Sequence, residues 1–197
     1  MDNVYIMPDD RNDASFAVLH RLRLVGAVDV DPDEHDPLVA TGLVVVDRGR
    51  ARLTPQGRDL HARWAAAPPG SDAAAAETAY ERFQSANAQL LKVCHDWQIM
   101  RGGIPNDHRD PGYDERVVGR LHGVHSSARR ILDDLAPVMP RFAAYEPRLA
   151  DALARLDAGD RKWFASPACD SYHTVWMQLH EDLLLATGRS RADEAVR

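Results

Sequence analysis

Cysteine occurs only twice in the 197 residues, at Cys94 and Cys169. Two cysteines with no export signal exclude a disulfide scaffold and read as buried free thiols. Long apolar runs are missing too. None approaches the ~20 residues of a bilayer span, so no membrane partner is expected. The N-terminal stretch MDNVYIMPDDRND is acidic and lacks the apolar core of a signal peptide, so a cytoplasmic location is expected. Positive charge is in deficit: 24 Lys and Arg stand against 30 Asp and Glu, a net charge of −6. A protein that coats nucleic acid without sequence preference needs the opposite balance, because its binding is driven by counterions that Lys and Arg displace. The chain contains no glycine-rich phosphate loop, no nucleophile elbow, no CxxC pair and no HExxH helix. Neither an enzyme nor a bound cofactor or metal is expected.

The charge that is present is segregated. Arg48, Arg50, Arg52, Arg58 and Arg63 face a single acid, Asp59, between positions 48 and 63, while Asp29, Asp31, Asp33, Glu34 and Asp36 cluster just before. A local basic patch on an acidic chain fits a specific DNA reader better than a general one.

The stretch AAAPPGSDAAAA, residues 65–76, breaks the chain into two modules. Its Pro-Pro-Gly-Ser core stops an arriving helix, and Ser71 or Asp72 can cap the next one. The first module covers residues 1–67. Phe16, Leu19 and Leu22 recur at helical spacing up to Gly26, AVDVD alternates like a strand, and LVVVD and ARL flank a tip at Arg48 and Gly49. Thr54 is a good N-cap, and Pro55 fits the first helical position, where its missing N–H costs nothing.

The second module covers residues 73–197 and is helical throughout. Tyr80, Phe83, Asn87, Leu90, Cys94 and Trp97 alternate in steps of three and four, one seam on a helix of ~28 residues, about 42 Å long. GGIPNDHRDPGYD reads as a loop. Val117 to Leu135 and Phe142 to Leu156 mark two further helices, and Ser171 to Thr187 a last one, ended by Gly188. The tail RSRADEAVR is polar and expected to fray. The fold class is therefore mostly α: an α+β module followed by an all-α bundle.

The helix, the short strand and then LVATGLVVVDRGRARLTPQGRDL resemble the winged-helix domain of MarR-type bacterial transcriptional regulators. The wing pattern from Gly42 to Leu60 carries the likeness over about a third of the chain. The helical module, with CHDWQ, PNDH and DSYHTVWMQLHEDLL, is similar to the C-terminal part of actinobacterial regulators of this type, for which no ligand is implied. The resemblance implies double-stranded DNA as a partner and a homodimer. It also implies two helices between the first and second strands, the second of which enters the major groove. Two such helices and their turn need ~19 residues, and Asp31 to Gly42 supplies twelve. Either the reading helix is reduced, or the full coding sequence holds a further stretch between Asp36 and Pro37. The first case makes the module a winged-helix-derived protein-interaction domain without DNA binding.

Under either reading the DNA contacts that can be named are Arg48, Arg50 and Arg52, since arginines on a wing reach phosphates or a narrow minor groove. Solvated hairpin charges are the plainer alternative. Trp97, Tyr172, His173, Trp176 and His180 could converge at one end of the bundle as an effector pocket, because aromatic walls with a few polar groups are what small-molecule sites are made of. Plain core is the alternative. Cys169 and His173, four apart, with Cys94 or His95, could hold a metal or serve a haem-dependent enzyme, but they lack third-ligand spacing. His108 sits among acids in NDHRD, an arrangement open to acid–base work but also usual for turns and caps. Gly119 and Gly123 suggest a close helix–helix approach. The seam helix is longer than its neighbours, so its exposed apolar length is expected to pair with a second copy.

Overall fold

The computed structural model of the protein describes residues 13–194. The N-terminal stretch read for localisation lies, apart from its last residue, outside these, as do the last three residues of the tail. The chain is mostly α-helical with a small antiparallel sheet. It divides into one unit of residues 1–66 with 184–197 and another of residues 67–183. The linker falls where proline and glycine put it. The assignment of everything after 73 to one module is corrected, because the end of the last long helix and the tail group with the first unit. Leu185 is why: it shares an apolar cluster with Phe16, Leu19, Leu22, Leu60 and Trp64.

In the first unit α1 (Asp13–Val25) buries Phe16, Leu19 and Leu22. It ends at Gly26, whose φ of +88° suits glycine. Strand β1 (Val28–Asp29) and strand β2 (Val44–Asp47) both pair antiparallel with β3 (Arg50–Leu53), giving the order β1-β3-β2. Arg48 and Gly49 join β2 to β3 with φ of +49° and +75°, the double left-handed geometry that matches strand twist in a two-residue hairpin. Thr54 accepts a hydrogen bond from the Gly57 amide at 3.0 Å and caps α3 (Pro55–Ala65). Gly57 has a packing role, since a Cβ there would lie 2.1 Å from the Leu43 carbonyl oxygen.

Between β1 and β2 stands one helix, α2 (Pro32–Ala40), of nine residues. Asp31 caps it, accepting from the Asp33 amide at 3.1 Å. Pro37 lies inside it and can donate no helical hydrogen bond. The two-helix arrangement implied by the resemblance is therefore not formed by these residues.

The second unit is built on α4 (Ser71–Gln98), 28 residues long. Gly70, not Ser71 or Asp72, holds its N-cap position, and the Ser71 hydroxyl donates to Asp72 instead. Most of the expected seam is buried: Tyr80, Phe83, Leu90 and Trp97 are in the core, and Asn87 accepts from the Trp176 indole N–H at 2.9 Å. The seam is thus covered within the chain. The premise that it offers an exposed apolar length to a second copy is corrected; among the described residues Leu91 is the large apolar side chain that α4 exposes.

The expected loop contains a small hairpin, β4 (Ile99–Met100) with β5 (Ile104–Pro105). It leads into α5 (Pro111–Leu135), which packs extensively on α4. A 3₁₀ turn (Pro140–Ala144), α6 (Tyr145–Asp157), α7 (Lys162–Ala165) and α8 (Tyr172–Ala186) follow. Gly119 and Gly123 do not mark a close helix contact, because an added Cβ at either would meet nothing within 4 Å. The tail forms one further turn, α9 (Arg191–Glu194). No helix among the described residues is long and apolar enough to cross a membrane.

Candidate functional site

The arginines of the β2–β3 hairpin come first, since that hairpin is formed where the sequence suggests. The Arg50 guanidinium donates to Asp29 Oδ1 at 2.7 Å and to the Ala27 carbonyl at 2.6 Å. Register explains the partner: Arg50 lies opposite Asp29 in the β1–β3 pair. Arg52 donates to Asp47 Oδ2 at 2.8 Å. Both side chains are about half exposed, but their charges are answered within their own sheet. Arg48, at the tip, is exposed, and among the described residues it forms no ion pair.

Beside this hairpin α2 presents Asp33 and Glu34 in its first turn and Asp36 in the next. Arg21 of α1 pairs with Glu34. His35 and Leu38 are its buried residues, and the His35 ring accepts from the Asp31 amide at 2.9 Å. An acidic N-terminal turn is favoured by the helix dipole, yet it is the wrong charge for the end of a helix that meets phosphates.

The proposed five-residue pocket divides. Trp97 keeps different company from the α8 aromatics. Its ring stacks on Phe164, centroids 4.3 Å apart and planes 4° apart, and also contacts His108 at 4.4 Å. Trp176 stacks on Phe83 at 4.8 Å and on Tyr172 at 6.1 Å, and His180 contacts Phe83 at 5.0 Å. Tyr172, Trp176 and His180 are buried in the core. His173 is half-buried, and burial pushes its imidazole below the usual range. Tyr172, Trp176 and His180 are thus packed core, while the rings that touch Trp97 come from the β5–α5 loop and α7.

That loop builds a polar centre on His108 whose acid lies outside the NDHRD stretch. Asp114, in the first turn of α5, is buried. Its carboxylate accepts from Asn106 Nδ2 at 2.9 Å and lies 3.1 Å from His108 Nδ1 through both oxygens. Arg161 Nε stands 3.5 Å from the same carboxylate, and its terminal nitrogen donates to the His108 carbonyl at 3.0 Å. Asn106 also donates to the Trp97 carbonyl at 3.0 Å. The acid that meets His108 is thus Asp114, six residues on; Asp107 pairs with Arg109, and Asp110 caps α5. Arg161 and Phe164 had no motif to reveal them; the clustering of Asn, His and Asp before a Pro-capped helix was the available signal.

Trp97, Val118 and Leu156 line a cleft of about 400 Å³ with Asp114, Asp157 and Arg161. Its size is that of a small-molecule site. Chemically it offers an aromatic and aliphatic floor with carboxylates and a guanidinium at the rim. Among the described residues no serine or cysteine stands within hydrogen-bond reach of His108, so the His108–Asp114 pair has the geometry of an orienting contact. Among the described residues no group of three or more His, Cys, Asp or Glu side chains is placed to hold a metal ion. Cys94 is half-buried, and burial pushes its thiol up to about 11. The chain matches no protein-family model, no curated protein and no solved structure.

Proposed function

We propose that the protein is a regulatory binding protein: its first unit docks on a protein partner, and its second takes a small molecule in the cleft over Trp97. The observation that carries the first half is the single acidic helix α2 where a major-groove reader needs two helices. Two further features support it. Arg50 and Arg52 already hold Asp29 and Asp47, so contacts to phosphate would first have to break these pairs. Strand β2 is an edge of the sheet and exposes Val45 and Val46, and an apolar edge strand is a template for pairing with an extended segment of another protein.

The second reading is the DNA-binding, effector-responsive homodimeric regulator that the wing resemblance implies. Arg48 favours it, being an exposed cation at the hairpin tip with no ion pair among the described residues. Fluorescence anisotropy with duplex DNA from the gene's own upstream region separates the two. The docking reading expects no binding beyond the weak micromolar, salt-sensitive level of non-specific contact, about 10⁻⁴–10⁻⁶ M. Binding ~10³-fold tighter than to scrambled duplex would establish the regulator. Sedimentation run alongside reads the assembly: the regulator requires a dimer for a two-fold operator, and the docking module does not.

A further inference from the structure

A second cleft lies on a different stripe of α5 from the one that meets Trp97. Tyr113, Arg116, Val117 and Arg120 fall three, four and seven residues apart, on one helix face. Opposite them stand Asp96 at the end of α4, Met100 of β4, Arg101 in the hairpin turn and Ile104 of β5. Together they enclose about 800 Å³. The Tyr113 hydroxyl donates to the Asp96 carbonyl at 2.8 Å and fixes the base of the hairpin against α5.

Of the two acids in this cleft one is ion-paired and the other is a helix cap that keeps its charge. Asp96 accepts from Arg120 at 2.6 Å. Asp110 accepts from the Tyr113 amide at 3.0 Å as the cap of α5. Arg101 and Arg116 are in no ion pair among the described residues, and the Arg116 guanidinium lies 5.9 Å from the centre of the Tyr113 ring. The lining carries three arginines against two aspartates, a local excess of one positive charge on a chain of net charge −6. Met100, Val117 and Ile104 supply apolar wall, and Ile104 is 61% exposed, a large apolar side chain in water beside the arginines.

We propose that this cleft binds a small molecule carrying an oxyanion, phosphate or carboxylate, on an apolar body. Arg101 and Arg116 hold the anion, and Ile104, Met100 and the Tyr113 ring cover the body. Guanidinium forks suit both oxyanions, in the bidentate manner. The volume is within the ~300–1,000 Å³ of small-molecule pockets. A nucleic-acid backbone is a poorer fit, since two free cations release few counterions and the surface is concave.

Calorimetric titration of the full chain at constant ionic strength tests this, with phenyl phosphate and phenylacetate as separate probes and a short DNA duplex as a third. One or both small probes should bind, and the stronger of the two identifies the anion. Arg116→Gln and Arg101→Gln should each weaken that binding about tenfold or more, the loss of one charge-assisted contact. Ile104→Ala should weaken the phenyl probes but leave inorganic phosphate, titrated as a further control, unchanged. Both arginines are exposed, so melting temperatures should hold and the variants remain folded. The proposal is overturned if neither small probe binds, if binding is undiminished in both arginine variants, or if the duplex binds tighter than either probe through the same arginines. These variants leave the Trp97 cleft intact, so the outcome is independent of whether that cleft takes a ligand.

Discussion

Arg50 and Asp29 face each other across neighbouring strands and close an ion pair of 2.7 Å. The pair is exposed, and such pairs contribute only about 0–1 kcal/mol. Arg50→Ala should therefore lower stability by less than about 1 kcal/mol in urea melts. If the first unit docks on protein, the variant should also leave any DNA anisotropy signal and its salt slope unchanged. A slope flatter by about one unit would instead place Arg50 on phosphate and favour the regulator.

Gly57 is predicted to be the least replaceable glycine in the first unit. Its helical backbone is ordinary, but a methyl group would meet the Leu43 carbonyl oxygen at 2.1 Å, and that carbonyl accepts from the Thr54 amide at 3.1 Å. Gly57→Ala should cost about 1–3 kcal/mol through overpacking, although alanine is the better helix former. Chemical denaturation of the variant, with Gly119→Ala as a control in open space, measures this. A Gly57→Ala variant as stable as the control would mean that α3 can shift away from β2 at no cost.

Acid should weaken the second unit before its carboxylates titrate. His125 and His173 are both held below the usual imidazole value of 6.5 by burial, with Glu146 partly opposing the shift at His125. The folded chain thus keeps them neutral while the unfolded chain takes up protons below about pH 6.5. Their contribution is fully present above that pH and is lost as pH falls toward the lower folded-state values. Melting temperature should drop between about pH 7 and pH 5.5, and the drop should shrink in a His125→Gln, His173→Gln double variant. A melting temperature flat over this range would show that neither ring is desolvated.

The two cysteines should differ in reactivity. The thiolate is the nucleophile, and burial pushes the Cys94 thiol up to about 11. Iodoacetamide at mildly alkaline pH should label Cys169 well before Cys94, as read by peptide mass spectrometry. Equal rates would mean that the end of α4 opens readily to solvent.

Much of this architecture follows from local pattern. The steps of three and four from Tyr80 to Trp97 define a helix wherever its neighbours lie, because side-chain direction is set by the 3.6-residue turn. Thr54-Pro55 starts α3, and Arg48 and Gly49 turn the β2–β3 hairpin, because caps and tight turns are settled within a few residues. Partners far apart in sequence are another matter. Cross-strand register set Arg50 against Asp29. Packing of the β5–α5 loop and α7 brought His108 and Phe164 onto the Trp97 ring and Arg161 beside Asp114. Whether an apolar seam faces a second copy or its own chain is equally invisible to periodicity, which reports that a face is buried but not by what. The sequence alone determined where the long helices and the Arg48–Gly49 turn form, because those depend on neighbours a few residues away. Only the tertiary structure decided which charges are already paired, which aromatics are core and which lines of side chains leave a cleft open, because those depend on contacts between residues tens of positions apart.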